Sequence, residues 1–261
     1  MSTTTPARVG PLLRDWRDRR RRSQMDLALD VGVSPRHLSF VETGRSRPSP
    51  ELVIALADGL DVPLRERNAL LLAAGYAPRY AETSLDDPAM DRARAAIQRI
   101  LDAHDPYPGV AMDRSWDVAL ANSAALALVE GLPDELLGPP LNMFRVGLHP
   151  DGLAGRTRNF AEWGSYLLGQ LDRTLALTGD PGLAALAEEV RTYPTVAALP
   201  PVVVPDEPQI TLNAHLVTPA GDLVVFSTLT TFGTPRDITL EELVVELFWP
   251  ADEATARLLG R

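Results

Sequence analysis

"GVSPRHLSFVETGRSRPSPE" runs from Gly32 to Glu51. It reads as a tight turn, one compact helix, and a loop carrying two arginines between prolines and serines. The question it raises is whether this helix meets DNA or packs into an ordinary core. Gly32 suits the turn because glycine takes positive φ without steric cost. Ser34 precedes Pro35, and proline is tolerated at a first helical position, where its missing N–H has no intrahelical partner to lose. Leu38 and Val41, three apart, can face a core. Arg36, Phe40 and Thr43 then share the other face, with His37 and Ser39 beside it. Such groups suit base reading: an arginine donates to guanine O6 and N7, and an apolar ring meets a thymine methyl. Gln24 opens the preceding helix, where amide and backbone N–H groups can meet a phosphate. Arg45 and Arg47, in the following loop, suit phosphate neutralisation. Spacing alone leaves a plain helical hairpin equally open, because glycine turns between helices are common.

Outward from this stretch, the first 80 residues read as five helices. The first spans about Val9 to Arg22, with Leu12, Leu13 and Trp16 on one face. Ser23 caps the second, whose apolar stripe is Leu27, Ala28 and Val31. The third starts at Ser34-Pro35. Ser49-Pro50 opens the fourth, which runs to Leu60, and Val62-Pro63 opens the fifth, which runs to about Ala74. Gly75 and Pro78 end the series. The run Arg17 to Arg22 reads mainly as a solvated face at a helix C-terminus, where cations are favourable.

Charge divides the chain. The net charge is −10, which argues against a nucleic-acid binder until its distribution is read. Residues 1–80 hold 13 arginines against 9 acids, a net of +4, and residues 81–261 hold 12 against 26, a net of −14. A basic head on an acidic body points to two domains with different partners. There is no lysine and no cysteine, which removes disulfide and thiolate chemistry and fits a soluble cytoplasmic protein. No run of eighteen apolar residues is present, so no membrane partner is expected.

After a linker and connecting helix over 81–104, the body over 105–261 changes texture. Two short apolar runs flank Asp113-Arg114-Ser115 and read as a hairpin. Helices follow over Asn122–Glu130, Leu141–Gly152, Arg158–Thr178 and Pro181–Tyr193. Strands Pro208–Val217 and Asp222–Phe232 flank a turn at Pro219-Ala220-Gly221. Glu242–Trp249 reads as a further strand, although its period also allows a helix. The expected architecture is an antiparallel sheet with helices to one side, an α+β body behind an all-α head. No catalytic motif stands out, the four histidines are scattered, and no metal cluster or cofactor site is visible, so a non-enzyme is expected. Eleven of the 15 aromatics lie beyond residue 80. Trp116, Phe144, Trp163, Phe226 and Phe232 are core residues or the lining of an apolar pocket.

Residues 9–75 resemble the Xre and lambda-repressor family of helix-turn-helix domains. The text that carries this is Gln24, Leu27-Ala28, Gly32-Val33-Ser34, Leu38-Ser39, Glu42, Gly44, Pro48 and Leu60. The resemblance implies that Pro35, Arg36, His37 and Phe40 face the bases, and that Gln24 and Arg45 face phosphates. It also implies a partly buried ion pair between Arg17 and Glu42. Phe40 departs from the polar residue common at its position. The body resembles the ligand-binding domain of MmyB-like regulators, through "DPYPGVAMDRSWDVALANSAA" (Asp105–Ala125), "NMFRVGLHPDGL" (Asn142–Leu153), "NFAEW" (Asn159–Trp163), "FSTLTTFGTPRDITLEEL" and "FWPAD" (Phe226–Asp252). This implies a PAS-like fold with a cavity for a small hydrophobic, fatty-acyl-like molecule. It further implies a bacterial transcription regulator that binds double-stranded operator DNA as a homodimer. If the ligand is a carboxylate, Arg145, His149 or Arg158 would pair with its head group. The alternative is a DNA-binding head with a protein-interaction body.

Overall fold

The structure is a computed structural model, and it describes residues 8–201 and 210–260. The start of the expected strand at Pro208 and Gln209, and the chain before Arg8, lie outside the described residues. Two compact units are present. The first comprises the chain to Ser84 together with Gly233–Glu241, and the second comprises Leu85–Phe232 and Glu242 onward.

All five helices expected in the head are present: α1 (Val9–Arg19), α2 (Gln24–Val31), α3 (Pro35–Glu42), α4 (Pro50–Gly59) and α5 (Leu64–Ala73). This is the lambda-repressor-like arrangement. Serine hydroxyls start three of them. Ser23 accepts from the Asp26 N–H, Ser34 from His37 and Ser49 from Leu52, each satisfying a donor that the helix leaves unpaired. Helix α1 stops short of the expected Arg22 because Arg21 adopts φ +51°, outside the helical region. Gly32 ends α2 at φ +73°, as the turn requires. Gly10 has a different role. A Cβ there would lie 2.5 Å from the Glu42 carbonyl oxygen, so α1 meets the end of α3 backbone to backbone at a position only glycine can fill. Leu13, Leu27, Leu38, Val41, Val53, Leu56 and Leu60 make the core, all buried.

The first unit also holds a piece of chain from far downstream. The Glu241 carboxylate accepts from the Leu64 N–H at 2.6 Å. It thereby satisfies an open donor at the N-terminus of α5, where an acid is also favoured by the helix dipole. Asp237 accepts from the Thr83 hydroxyl at 2.7 Å, and the Ile238 N–H donates to the Ala81 carbonyl at 2.9 Å.

In the second unit, α6 (Asp91–His104) is followed by β1 (Gly109–Met112) and β2 (Val118–Ala121). Then come α7 (Ser123–Val129), α8 (Asp134–Leu137), α9 (Met143–Leu148), α10 (Phe160–Thr178), α11 (Pro181–Arg191) and α12 (Pro194–Ala197). The chain closes with β3 (Ala214–Thr218), β4 (Gly221–Thr231), then α13 (Ile238–Glu242), whose residues up to Glu241 belong to the first unit, and finally β5 (Val244–Pro250) and α14 (Glu253–Leu259) of the second. The strands form one antiparallel sheet in the order β2-β1-β5-β4-β3, the PAS-like sheet with covering helices. The ambiguous "ELVVELFW" is strand β5, paired on both sides. A strand buried on both faces carries a near-continuous apolar run, which is why its period was uninformative.

The two faces of the sheet have different neighbours. Val245 and Leu247 pack with Ile97 and Leu101 of α6. Ile97 and Leu101 are fully buried, so this helix belongs to the core of the second unit rather than acting as a free connector. Glu246 and Phe248 alternate to the opposite face. Asn122 ties the layers together. Its side chain accepts from the Gly109 and Ala125 N–H groups and donates to the Leu101 and Tyr107 carbonyls.

Candidate nucleic-acid interface and ligand cavity

Helix α3 is divided lengthwise. Leu38 and Val41 are buried in the core, and Glu42 is buried against α1. The Arg17 guanidinium donates to both Glu42 oxygens, at 2.7 and 3.0 Å, and the Gln24 amide donates to the same carboxylate at 2.7 Å. Burial pushes the Glu42 carboxyl upward, but these hydrogen bonds and the charges of Arg17 and Arg14 outweigh it, so the group lies below the usual carboxylate range. Glu42 is therefore a brace between α1, α2 and α3, as the resemblance implied, and not a surface anion.

The other side of α3 carries Pro35 and Arg36 exposed, with His37, Ser39 and Phe40 half-buried. Phe40 lies between two guanidinium groups. Arg36 sits 5.3 Å from its ring centroid and Arg45 sits 5.9 Å away. Such contacts contribute about 0.5–1 kcal/mol at exposed sites, enough to bias both cations toward this edge of α3. Among the described residues neither arginine is in an ion pair. Ser34 keeps its hydroxyl on the His37 N–H at the helix start.

Two residues expected at phosphates are otherwise engaged. Gln24 spends its amide on Glu42. Arg47 donates to the carbonyls of Ala74 and Gly75 at 3.1 and 3.3 Å and lies over the Tyr76 ring, so it clamps the end of α5. The run Arg17 to Arg22 is mostly exposed, as expected, with Asp18 to Arg21 facing solvent, but several of its arginines also have structural partners. Beyond Arg17, Arg20 donates to the Leu60 and Asp61 carbonyls and Arg22 pairs with Asp30. The basic edge left to α3 and its loop is thus narrower than the sequence suggests, and is centred on Arg36 and Arg45.

The second unit contains an apolar cavity of about 90 Å³ between the sheet and helices α7, α9 and α10. Trp116, Phe144, Val110, Phe248 and Leu216 contribute to its walls. Leu126 and Leu229 also line it while 56% and 48% exposed, which marks where it meets solvent. Helix α10 presents Trp163, Tyr166, Leu167 and Gln170, the spacing of a single helical face. Burial pushes the Tyr166 phenol up, and the nearby Glu246 carboxylate adds to that. Glu246 also lines the cavity. Burial raises its carboxyl, against a hydrogen bond from Ser227.

Of the residues expected in the pocket, Trp116, Phe144 and Trp163 line the cavity, and the other five stand elsewhere. Phe232 packs with the α6 layer, and Phe226 pairs across the strands with Trp249. Arg145 donates to both Glu189 carboxylate oxygens through Nε and Nη2, at 2.8 Å each. The His149 ring stands edge-on to Tyr193, and Arg158 pairs with Asp222 at 2.8 Å on the surface. None of the three cations proposed for a carboxylate head group lines the cavity. Tyr166, Gln170 and Glu246 were missed. The available signals were Tyr166 and Gln170 at three and seven residues beyond Trp163, and an acid in the middle of "VVELFW". Among the described residues no group of three or more histidines or acids could hold a metal, and no helix is long and apolar enough to cross a membrane.

Comparison with known families joins these two sites. Residues 8–70 match the helix-turn-helix domain, and residues 93–261 match the MmyB-like transcription regulator ligand binding domain. No curated protein matches the chain. A helix-turn-helix domain followed by a ligand-binding domain is the organisation that these matches describe. The chain belongs to the MmyB-like transcription regulators, with a DNA-binding helix-turn-helix ahead of the ligand-binding domain.

Proposed function

We propose that the protein is a sequence-specific, cytoplasmic transcription regulator that reads operator DNA through α3 and responds to a small hydrophobic molecule held in the cavity of the second unit. The observation that carries the DNA reading is the Arg36–Phe40–Arg45 group, placed on the side of α3 away from its core. Pro35, His37, Ser34 and Ser39 complete the reading edge, and Gln24 and Arg47 support it from within the fold. A homodimer would set two such helices about 34 Å apart, one turn of DNA. No catalytic role is assigned to either unit.

The cavity supports the second half of the reading. Its walls are mostly apolar with few polar groups, the pattern of a small-molecule site. Its present size accommodates a small group. Engineered cavities of about 150 Å³ hold benzene, so a longer acyl chain would require α7, α9 and α10 to part. Strands β4 and β5 supply Leu229, Glu246 and Phe248 to the cavity, and the chain between them supplies Asp237 and Glu241 to the first unit. The chain is thus continuous from the cavity-lining strands to Glu241, which caps α5.

The DNA half is tested by two substitutions measured on a duplex selected from a random pool. Arg36→Ala should cost about 1–3 kcal/mol and relax the preference at one base position. Arg45→Ala should weaken all sequences alike and lower the slope of log K against log salt by about 1. Wild-type affinity and salt slope in both variants would exclude this face of α3.

A further inference from the structure

We infer that the cavity selects a hydrophobic molecule whose polar end donates hydrogen bonds, a long-chain alcohol or amine, with Glu246 as the acceptor. The inference rests on the proposed cavity as the ligand site and concerns which head group it takes.

The argument begins with strand alternation. On β5 the residues facing the cavity are Glu246 and Phe248, between positions that face α6. An apolar residue at position 246 would complete the core, yet a carboxylic acid stands there, with the residue only 7% exposed. Across the sheet its register partner is Leu229 of β4, which lies where the cavity meets solvent. From the opposite wall α10 brings Tyr166 and Gln170. The carboxyl, the phenol and the amide therefore give the lining a polar end, while Trp116, Phe144 and Val110 give it an apolar one.

The sign of that polar end decides the head group. Among the described residues no arginine or histidine lines the cavity, and the sequence has no lysine. Of the arginines flanking its walls, Arg114 pairs with Asp180, Arg145 with Glu189 and Arg158 with Asp222, and the exposed Arg173 donates to the Gln170 amide oxygen at 2.7 Å. A fatty-acid carboxylate drawn to this end would bury an anion beside an acid, with no cation in the lining to offset its lost hydration, since Arg173 lies outside it and is spent on Gln170. A hydroxyl or ammonium head has the opposite character. It donates to the Glu246 oxygens, and a cationic head would also favour the ionised acid. Gln170, whose oxygen accepts from Arg173, has its amide N–H groups left to donate, and the Tyr166 hydroxyl can accept or donate, so Glu246 is the group that discriminates between head groups.

The test uses the full chain and three probes of equal length: 1-octanol, octylamine and octanoate. Binding is followed by calorimetry and by the fluorescence of Trp116 and Trp163, which line the cavity. The alcohol, the amine or both should bind about tenfold tighter than octanoate, the factor a hydrogen bond to a buried acid supplies. Glu246→Leu, a change from a buried acid to an apolar residue that the fold should tolerate, should remove most of that advantage by weakening the donors and leaving octanoate no weaker. Glu246→Gln keeps an acceptor oxygen without the charge, so it should retain the alcohol and lose the amine, which separates the two sources. Octanoate binding as tightly as both donors, or donor affinities unchanged in Glu246→Leu, would overturn the head-group assignment while leaving the cavity as the ligand site. Failure of all three probes to bind would overturn the cavity itself, and the assignment with it.

Discussion

Replacing Glu42 with alanine should cost the DNA-binding unit about 3–5 kcal/mol, the usual effect of removing one partner from a buried ion pair. The side chains of Glu42 and Arg17 are 1% and 10% exposed, so the guanidinium would keep only Asp18 and the Arg22 carbonyl as partners, with little water to replace Glu42. Gln24 would lose its acceptor as well. Loss on this scale is a large share of the stability of a small domain. It should therefore abolish DNA binding through unfolding rather than through a lost contact. The pH dependence has a definite sign. The folded-state carboxyl of Glu42 lies below its ordinary value of 4.5. Its stabilisation is present in full above that value and is lost as pH falls through the lower folded one. Chemical denaturation of wild type and variant should thus differ most at neutral pH and converge in acid. A difference under about 1 kcal/mol at pH 7, the scale of an exposed pair, would show that the brace is not buried in solution.

Phe144→Ala should cost the second unit a similar amount, about 3–5 kcal/mol. Phe144 has no exposed surface, lies 4.9 Å from the Trp116 ring centroid, and sits at the start of α9, where Asn142 caps its N–H. Its removal deletes an aromatic anchor shared by the core and the cavity wall. The enlarged space should admit longer alkyl chains than the wild type does, so octyl and dodecyl probes should reverse their order of affinity. Thermal unfolding measures the first effect and calorimetry the second. A loss near 1 kcal/mol, with unchanged chain-length preference, would mean that α9 collapses onto the space.

Local rules made the head legible. Serine caps, proline at first helical positions and Gly32 are short-range devices, and α2 to α5 fall close to where those devices place them. The Arg17–Glu42 pair came through resemblance alone, since no spacing rule joins residues 25 apart. The roles of Arg47 and Arg20 were not legible, because each donates to a helix end that is distant in sequence. A loop arginine and a surface arginine look alike until the fold brings a carbonyl to one of them. Phe40 was the open position of the motif. Two guanidinium groups stand over its ring, so it orders the basic edge as well as belonging to it.

The body was legible in outline and not at its site. Alternation and turn residues gave the strands. The central position of β5 hid its period, and α13, α14 and the short α8 and α12 carry too few residues for a periodic signal. In the sequence, Arg145 and Arg158 belong to the pocket only on the condition of a carboxylate ligand. The fold instead consumes them in pairs with Glu189 and Asp222, and turns an acid inward at Glu246. Which face a strand residue takes depends on register, and register is a long-range fact.

The central claim is that occupancy of the cavity alters DNA binding by α3. It is tested most directly by selecting bound duplexes from a random pool and measuring their affinity at fixed salt, with and without a total cell lipid extract. The account predicts enrichment of one sequence built from two half-sites about a turn apart, and an affinity that the extract shifts by about 5–150-fold. No enriched sequence, or equal affinity in both conditions, would contradict it.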